Sequence, residues 1–338
     1  MNRLLKTLLV CLCLSCWNAG LQAQNYEALD SFMRKYCQNW RPGYAYEAKD
    51  GSIAQKVQLG TSMPEFHFND TLNSQSLRGR YVLLNYWATW CVGCRWLSVE
   101  LDTVMFVRHT PDPEVQVIGV DAHERLADKG FHAEAWWKEK GIHYSSVGGK
   151  QADACCDTVH GSHPSAILID PDGIIRGRWD AWSPGLADFI RFAIWTLKDL
   201  PRENLSVDLA TARRLFDAGE QIKALYVLEQ LPKSAQADAL KYECLLSVSS
   251  YDAGQLADTF SAYKEDDCYP TLMQTIVNGV SNTTTSDLRL LRQAVEAGNY
   301  LLNHRSKQDK DLYHTVGKLY TRYGEVYIQR GSEMTKKN

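Results

Sequence analysis

The stretch Tyr81-Val82-Leu83-Leu84-Asn85-Tyr86-Trp87-Ala88-Thr89-Trp90-Cys91-Val92-Gly93-Cys94 decides how the chain is read. Entered from Arg80, its first half is a continuous apolar run of strand length, the pattern of a strand buried on both faces. Its second half carries two cysteines separated by two residues, and Arg95 to His109 then places apolar residues at helical spacing. A strand that passes into a helix through Cys91 sets the first sulfur at the helix N-terminus, where backbone N–H groups and the helix dipole favour negative charge. Cys94 lies one turn further on, on the same face and within reach of a disulfide. Cysteine pKa values in such settings fall to ~3.5–7.5 from ~8.5, so the pattern predicts a thiolate at Cys91 and a resolving thiol at Cys94. Trp87 and Trp90 flank the pair, either as core packing or as shields for the sulfurs. Val92 and Gly93 bring it no charged donor.

Working outward, Val115 to Val120 reads as a second buried strand and Phe131 to Lys140 as a helix before Gly141. Ala166 to Ile169 and Ile174 to Trp179 form a hairpin across the turn Asp170-Pro171-Asp172-Gly173, and Leu186 to Leu200 is a helix ended by Pro201. The expected order is strand, helix, strand, helix, hairpin, helix: an α/β fold with a parallel start and an antiparallel finish. Upstream, residues 24–56 are a lead-in holding a short amphipathic helix from Tyr26 to Trp40. After Pro201 the strand signal vanishes. Ala212 to Leu231 reads as a helical hairpin broken at Gly219, and Asp287 to Leu302 and Leu312 to Ile328 repeat the helical period, giving an all-α, degenerate helical-repeat-like domain over 201–338. The α/β domain occupies 57–200.

The chain has 338 residues, 45% of them hydrophobic and 23% charged, and a net charge of −3, which excludes a disordered chain. No block of like charge offers nucleic acid a footprint. Arg3 and Lys6 precede an apolar run from Leu8 to Trp17, and Leu21-Gln22-Ala23 follows; residues 1–23 read as a signal peptide cut near Ala23, leaving a mature chain outside the cytoplasm with no membrane-inserted segment. Of ten cysteines, Cys11, Cys13 and Cys16 leave with that segment. An odd set remains: Cys37, Cys91, Cys94, Cys155, Cys156, Cys244 and Cys268. A chain of this length needs no staples to bury a core, so chemistry is the better explanation for some of them.

The string from Trp87 to Cys94 resembles the thioredoxin fold. With Gly60-Thr61-Ser62-Met63-Pro64-Glu65-Phe66 and Leu77-Arg78-Gly79-Arg80 upstream, it is similar to the secreted TlpA/ResA-like thiol-disulfide oxidoreductases. A second matching signature is Val159-His160-Gly161-Ser162-His163-Pro164, then Ile167-Leu168-Ile169-Asp170 and Gly173. The resemblance implies a cis proline at Pro164 that faces the cysteine pair, with the backbone before it, at His163, pairing with a substrate strand. It also implies protein disulfides as substrates, a membrane electron donor and, as cofactor, none. Three positions depart from the pattern: Asn85 replaces thioredoxin's buried aspartate, Leu97 a glutamate and Val99 a proline. For the Cys94 proton this leaves water, Glu100 or Asp121.

Cys155 and Cys156 read either as a redox relay for the Cys91/Cys94 pair or as inert thiols, a vicinal pair or a bond to Cys37. Cys244 and Cys268 form a helix-to-helix staple or stay buried. Rival functions are a binding protein whose helical domain recognises a partner, and a copper or zinc protein using Cys91, Cys94, Cys155, Cys156, His160 and His163. Peroxide reduction fails, because Leu84 and Ala88 stand where that chemistry needs proline and threonine or serine.

Overall fold

Tyr81–Trp87 is buried at all seven positions because it is the central strand of a five-stranded sheet with layers on both faces. The structure is a computed structural model and describes residues 26–40, 46–47, 53–54, 58–124, 132–159, 161–304 and 309–335. The expected signal peptide and His160 lie outside these residues. The chain divides into two compact units at Asn204/Leu205.

The first unit begins with a helix, α1, at residues 26–36, and a short antiparallel pair, β1 (Tyr46–Glu47) and β2 (Ile53–Ala54). Then come β3 (Tyr81–Trp87), α2 (Val92–Asp102), β4 (Val115–Asp121), α3 (Ala133–Glu139), β5 (Ser145–Gly148), α4 (Lys150–Thr158), β6 (Ser165–Ile169), β7 (Ile175–Asp180) and α5 (Leu186–Lys198). The strand order is β5-β4-β3-β6-β7, with β5, β4 and β3 parallel and β6 and β7 antiparallel. This is a thioredoxin fold, with the parallel start and antiparallel finish that the hydrophobic pattern predicts.

Period-two alternation along β3 assigns its side chains to two layers. Val82, Leu84 and Tyr86 join Ile118, Val120, Ile167 and Ile169 under Ala152, Cys155 and Cys156 of α4. On the other face Asn85 Nδ2 donates to Ser98 Oγ of α2 at 2.9 Å, and the Tyr81 hydroxyl donates to the Leu197 carbonyl of α5 at 3.1 Å. There the Trp87 ring meets Trp137 of α3 at 4.6 Å. Each such large apolar side chain contributes roughly 1.5–3 kcal/mol by leaving water.

Four features correct the sequence reading. The expected order lacks β5 and α4, because Ser145–Gly148 is an edge strand with a single apolar residue and α4 buries only Ala152, Cys155 and Cys156. The helix after Cys94 does not run to His109: α2 ends at Asp102, and Thr103–Val107 widens into a π-helical turn. Residues 26–40 are more than a lead-in. Leu29, Phe32, Met33, Tyr36 and Trp40 are buried, Phe32 packs on Phe192 at 4.9 Å, and Trp40 meets Trp179 edge-on at 5.3 Å. Cys37 makes no bond to Cys155 or Cys156, and all three are free buried thiols.

The second unit contains α6 (Leu209–Asp217), α7 (Gln221–Leu228), α8 (Ala235–Val248), α9 (Ser250–Thr259), α10 (Tyr269–Ser281), α11 (Leu288–His304) and α12 (Lys310–Thr335). Asp208, Ser234 and Ser249 cap three of these helices by accepting a backbone N–H with their side chains. Gly219, at φ +79°, makes the break between α6 and α7. Gly298 lets α11 approach α12 closely, since a Cβ there would lie 2.6 Å from Val316. Cys244 and Cys268 form no staple: Cys244 is buried in the interior and Cys268, half-buried, precedes α10. No helix among the described residues is long and apolar enough to cross a membrane.

Candidate active site

β3 delivers the chain to the C-terminal end of the central strand at Trp87, and a turn leads it into α2. Cys91 N–H donates to the Ala88 carbonyl at 3.1 Å, and Glu124 accepts from both the backbone and the hydroxyl of Thr89. Trp90 Nε1 donates to the His123 carbonyl at 3.0 Å. Residues 122–124, which follow β4, therefore hold the turn in place.

Cys91 is the N-cap of α2, and its sulfur accepts a hydrogen bond from the Cys94 backbone N–H at 3.1 Å. An N-cap acceptor that is a sulfur rather than an oxygen turns the helix N-terminus toward stabilising a thiolate. The two sulfurs are joined in a disulfide, with 5.2 Å between the Cα atoms. Cys94 is fully buried, whereas Cys91 keeps 7% of its surface and lies between Trp90, at 41%, and Val92, at 46%. Of the pair, only Cys91 keeps any exposure to solvent.

The His163-Pro164 bond is cis. Pro164 meets the cysteine loop at Gly93, where an added Cβ would lie 3.4 Å from Pro164 Cδ and 3.8 Å from Trp182 Cβ. The proline strand is tied from below: Pro164 O accepts from Ala181 N–H at 2.9 Å, and Ser162 Oγ donates to Asp180 at 3.0 Å. Arg178, only 1% exposed, pairs with Asp180 at 3.1 Å and donates to the Val159 carbonyl at 2.7 Å, so α4, β7 and the proline strand share one buried ion pair. The His163 ring lies 5.1 Å from Trp90, and its Nε2 contacts the Ala122 carbonyl at 3.0 Å.

Sequence reading therefore names residues that the fold brings together: Cys91, Cys94, Val92, Gly93, Trp90, His163 and Pro164 surround one shallow face. Trp87 sits beneath it, 1% exposed, with Nε1 donating to Ser146 Oγ. Of the two carboxyl groups named for the Cys94 proton, Glu100 is engaged elsewhere. It accepts from Trp182 Nε1 and from Gly185 and Ala187 N–H at the start of α5, and burial raises its pKa against those hydrogen bonds. Asp121 is pushed up to about 8, first by burial and then by its hydrogen bond with Glu124 and the charges of Glu124 and Asp153.

Cys155 and Cys156 lie in the core cluster under α4. Burial pushes their thiols up to about 11 and about 12, and the Tyr86 hydroxyl contacts the Cys155 sulfur at 3.3 Å. Protonated thiols are not nucleophiles. Three residues escape the sequence reading: Glu124, His123 and Trp182, whose ring packs on Trp96 at 4.7 Å. For His123 a signal existed, since it follows the C-terminal end of a parallel strand, where loops carry function.

Fold and site together define a thioredoxin-fold thiol-disulfide oxidoreductase. The chain is similar to the thiol:disulfide interchange protein DsbE of Vibrio cholerae serotype O1, at 30% identity over 137 residues, which are 38% of this chain and 68% of that protein. It is similar to the thiol-disulfide oxidoreductase ResA of Bacillus cereus at 27% identity over 124 residues, 35% of this chain and 68% of that one. The solved thioredoxin domain of a thiol-disulfide oxidoreductase from Bacteroides vulgatus aligns at 18% identity, covering 41% of this chain and 99% of that domain with a TM-score of 0.33. No protein-family model matches. The chain belongs to the family of TlpA-like thiol-disulfide oxidoreductases to which DsbE and ResA belong.

Proposed function

We propose that the chain reduces disulfides of other proteins, with Cys91 as the attacking sulfur and Cys94 as the resolving one. The observation that carries this is the helix-capping geometry of Cys91, the one residue of the pair with any exposure to solvent. In the reduced enzyme the Cys91 thiolate attacks one sulfur of the substrate disulfide, forming a mixed disulfide and releasing the other substrate sulfur as a thiolate. Cys94 then loses its proton and attacks Cys91. The internal disulfide closes, the second substrate thiolate leaves, and two electrons have passed from enzyme to substrate.

Pro164, with the His163 backbone before it, holds the substrate as an added strand, and Gly93 leaves room for it to approach the sulfurs. The neutral Val92-Gly93 pair adds no charge to the stabilisation by the helix terminus, which supports a moderately reducing couple. A membrane electron donor restores the dithiol. The apolar run from Leu8 to Trp17 supports action outside the cytoplasm.

The test is a substrate trap. Cys91→Ser is expected to lower turnover of a protein disulfide on the order of 10³-fold or more, and Cys94→Ser to accumulate mixed disulfides with its substrates. A Cys91→Ser variant with full exchange activity defeats the assignment. Redox titration of the pair checks the direction: a potential near −120 mV, as in a dedicated oxidant, rules out a reductase.

A further inference from the structure

Beside the cysteine pair a second group of side chains converges. His123, after β4, Cys156, in α4, and His163, before Pro164, each place a ligand atom within 4.8 Å of the other two. Cys156 is fully buried and both histidines are half-buried, so an ion reaches the group past the imidazoles.

We propose that His123, Cys156 and His163 form a binding site for a borderline transition-metal cation, with Zn²⁺ the ion that fits best. Two imidazoles and a thiolate are poor ligands for hard cations such as Mg²⁺ and Ca²⁺ and suitable ones for zinc. Three protein ligands leave a fourth position for water or a substrate group, the composition of an open zinc site. Zinc–nitrogen bonds of about 2.0–2.1 Å and a zinc–sulfur bond of about 2.3 Å place tetrahedral ligand atoms roughly 3.3–3.6 Å apart. Closing from 4.8 Å therefore requires a contraction of about 1.2–1.5 Å, within the reach of side-chain rotation.

The surroundings are those a metal site requires. A metal-bound histidine usually directs its second ring nitrogen at a carbonyl or carboxylate, which fixes the ring and its tautomer. Here His163 Nε2 faces the Ala122 carbonyl at 3.0 Å and His123 Nε2 faces Asp157 Oδ1 at 3.1 Å, so each ring has a partner of this kind. α4 carries the third ligand and grips the first: Asp153 accepts the His123 backbone N–H at 2.6 Å, and Asp157, one turn on, holds the ring. His123 has φ +58°, a left-handed conformation uncommon outside glycine, held by these contacts. Gly161 closes over the thiol, for an added Cβ there would lie 2.6 Å from Cys156 Sγ. Cys156 binds as the thiolate, its proton passing to buffer as the metal enters.

The experiment uses the full chain with Cys91 and Cys94 oxidised, so that the active-site dithiol cannot ligate the probe. Zn²⁺ is titrated against a competing chelator, and Co²⁺ serves as a spectroscopic substitute. The expected result is one equivalent bound and a thiolate-to-cobalt charge-transfer band that Cys156→Ala abolishes. Affinity falls about tenfold or more in His123→Gln and in His163→Gln. Because Cys156→Ala removes a core side chain, the two histidine variants, at half-buried positions, carry the test if that variant does not fold. Absence of binding, or binding that survives both histidine substitutions as an adventitious surface ion would, overturns the proposal.

Discussion

Asp121 has the clearest pH signature of any single group near the site. Its carboxyl holds a proton up to about 8 in the folded chain, against 3.8 for the ordinary group. Between those values the unfolded chain has released a proton that the folded chain keeps. The stabilising contribution is therefore complete below about pH 4, is lost as pH rises through 8, and is absent above that. Asp121→Asn is expected to flatten this dependence. Relative to the parent it gains at least ~1 kcal/mol between pH 5 and pH 9, after allowance for solvent screening of a half-buried group, as urea unfolding at the two pH values will show. Gly161 is the second residue with a sharp prediction: Gly161→Ala drives a methyl into Cys156 and is expected to cost roughly 1–3 kcal/mol by the same measurement. At this scale the place of Cys91 and Cys94 at the start of a helix was legible in local spacing, and that of Pro164 beside Gly93 only through the family resemblance. Glu124 was not, since it reaches Thr89 across the sheet and nothing adjacent to it in sequence marks the contact, and His123 carried only the signal of a loop that follows a parallel strand.

Among the elements, α4 and the strand leading to Pro164 depend on Arg178. Its guanidinium is almost wholly buried between Asp180 and the end of α4. Arg178→Ala strands Asp180 inside the protein and is expected to cost about 3–5 kcal/mol, with the His163-Pro164 strand loosened and exchange slowed. α1 makes a similar test of packing. Phe32→Ala opens a void against Phe192 and Tyr36 and is expected to cost roughly 3–5 kcal/mol, read as a lowered urea midpoint; a loss below ~1 kcal/mol means that α1 is peripheral to the fold. β3, β4 and β6 were readable from apolar runs, since strands buried on both faces leave few polar positions to blur the signal, and β7, which carries Arg176 and Arg178, was readable from the turn that joins it to β6. β5 and α4 were hidden for the opposite reason. An edge strand of Ser-Ser-Val-Gly and a helix with three small buried residues carry too little apolar periodicity to be told from loop.

For the whole molecule, the division at Asn204/Leu205 separates the dithiol from the helical unit. A chain ending at Asn204 is expected to unfold in one cooperative step and to keep its exchange rate within roughly twofold, assayed on a small disulfide. Loss of folding in that fragment makes the division one of geometry alone. In the sequence, strand-forming runs give way to helical spacing after Pro201, four residues before this division. Among the described residues five cysteines form no disulfide, four of them buried in the two cores. Once heat opens those cores, every sulfur becomes a cross-linking partner for every other, and only the bridge between Cys91 and Cys94 returns the native fold. Melting in air should therefore be a one-way event whose midpoint drifts with heating rate, while the same protein under reductant should recover on cooling.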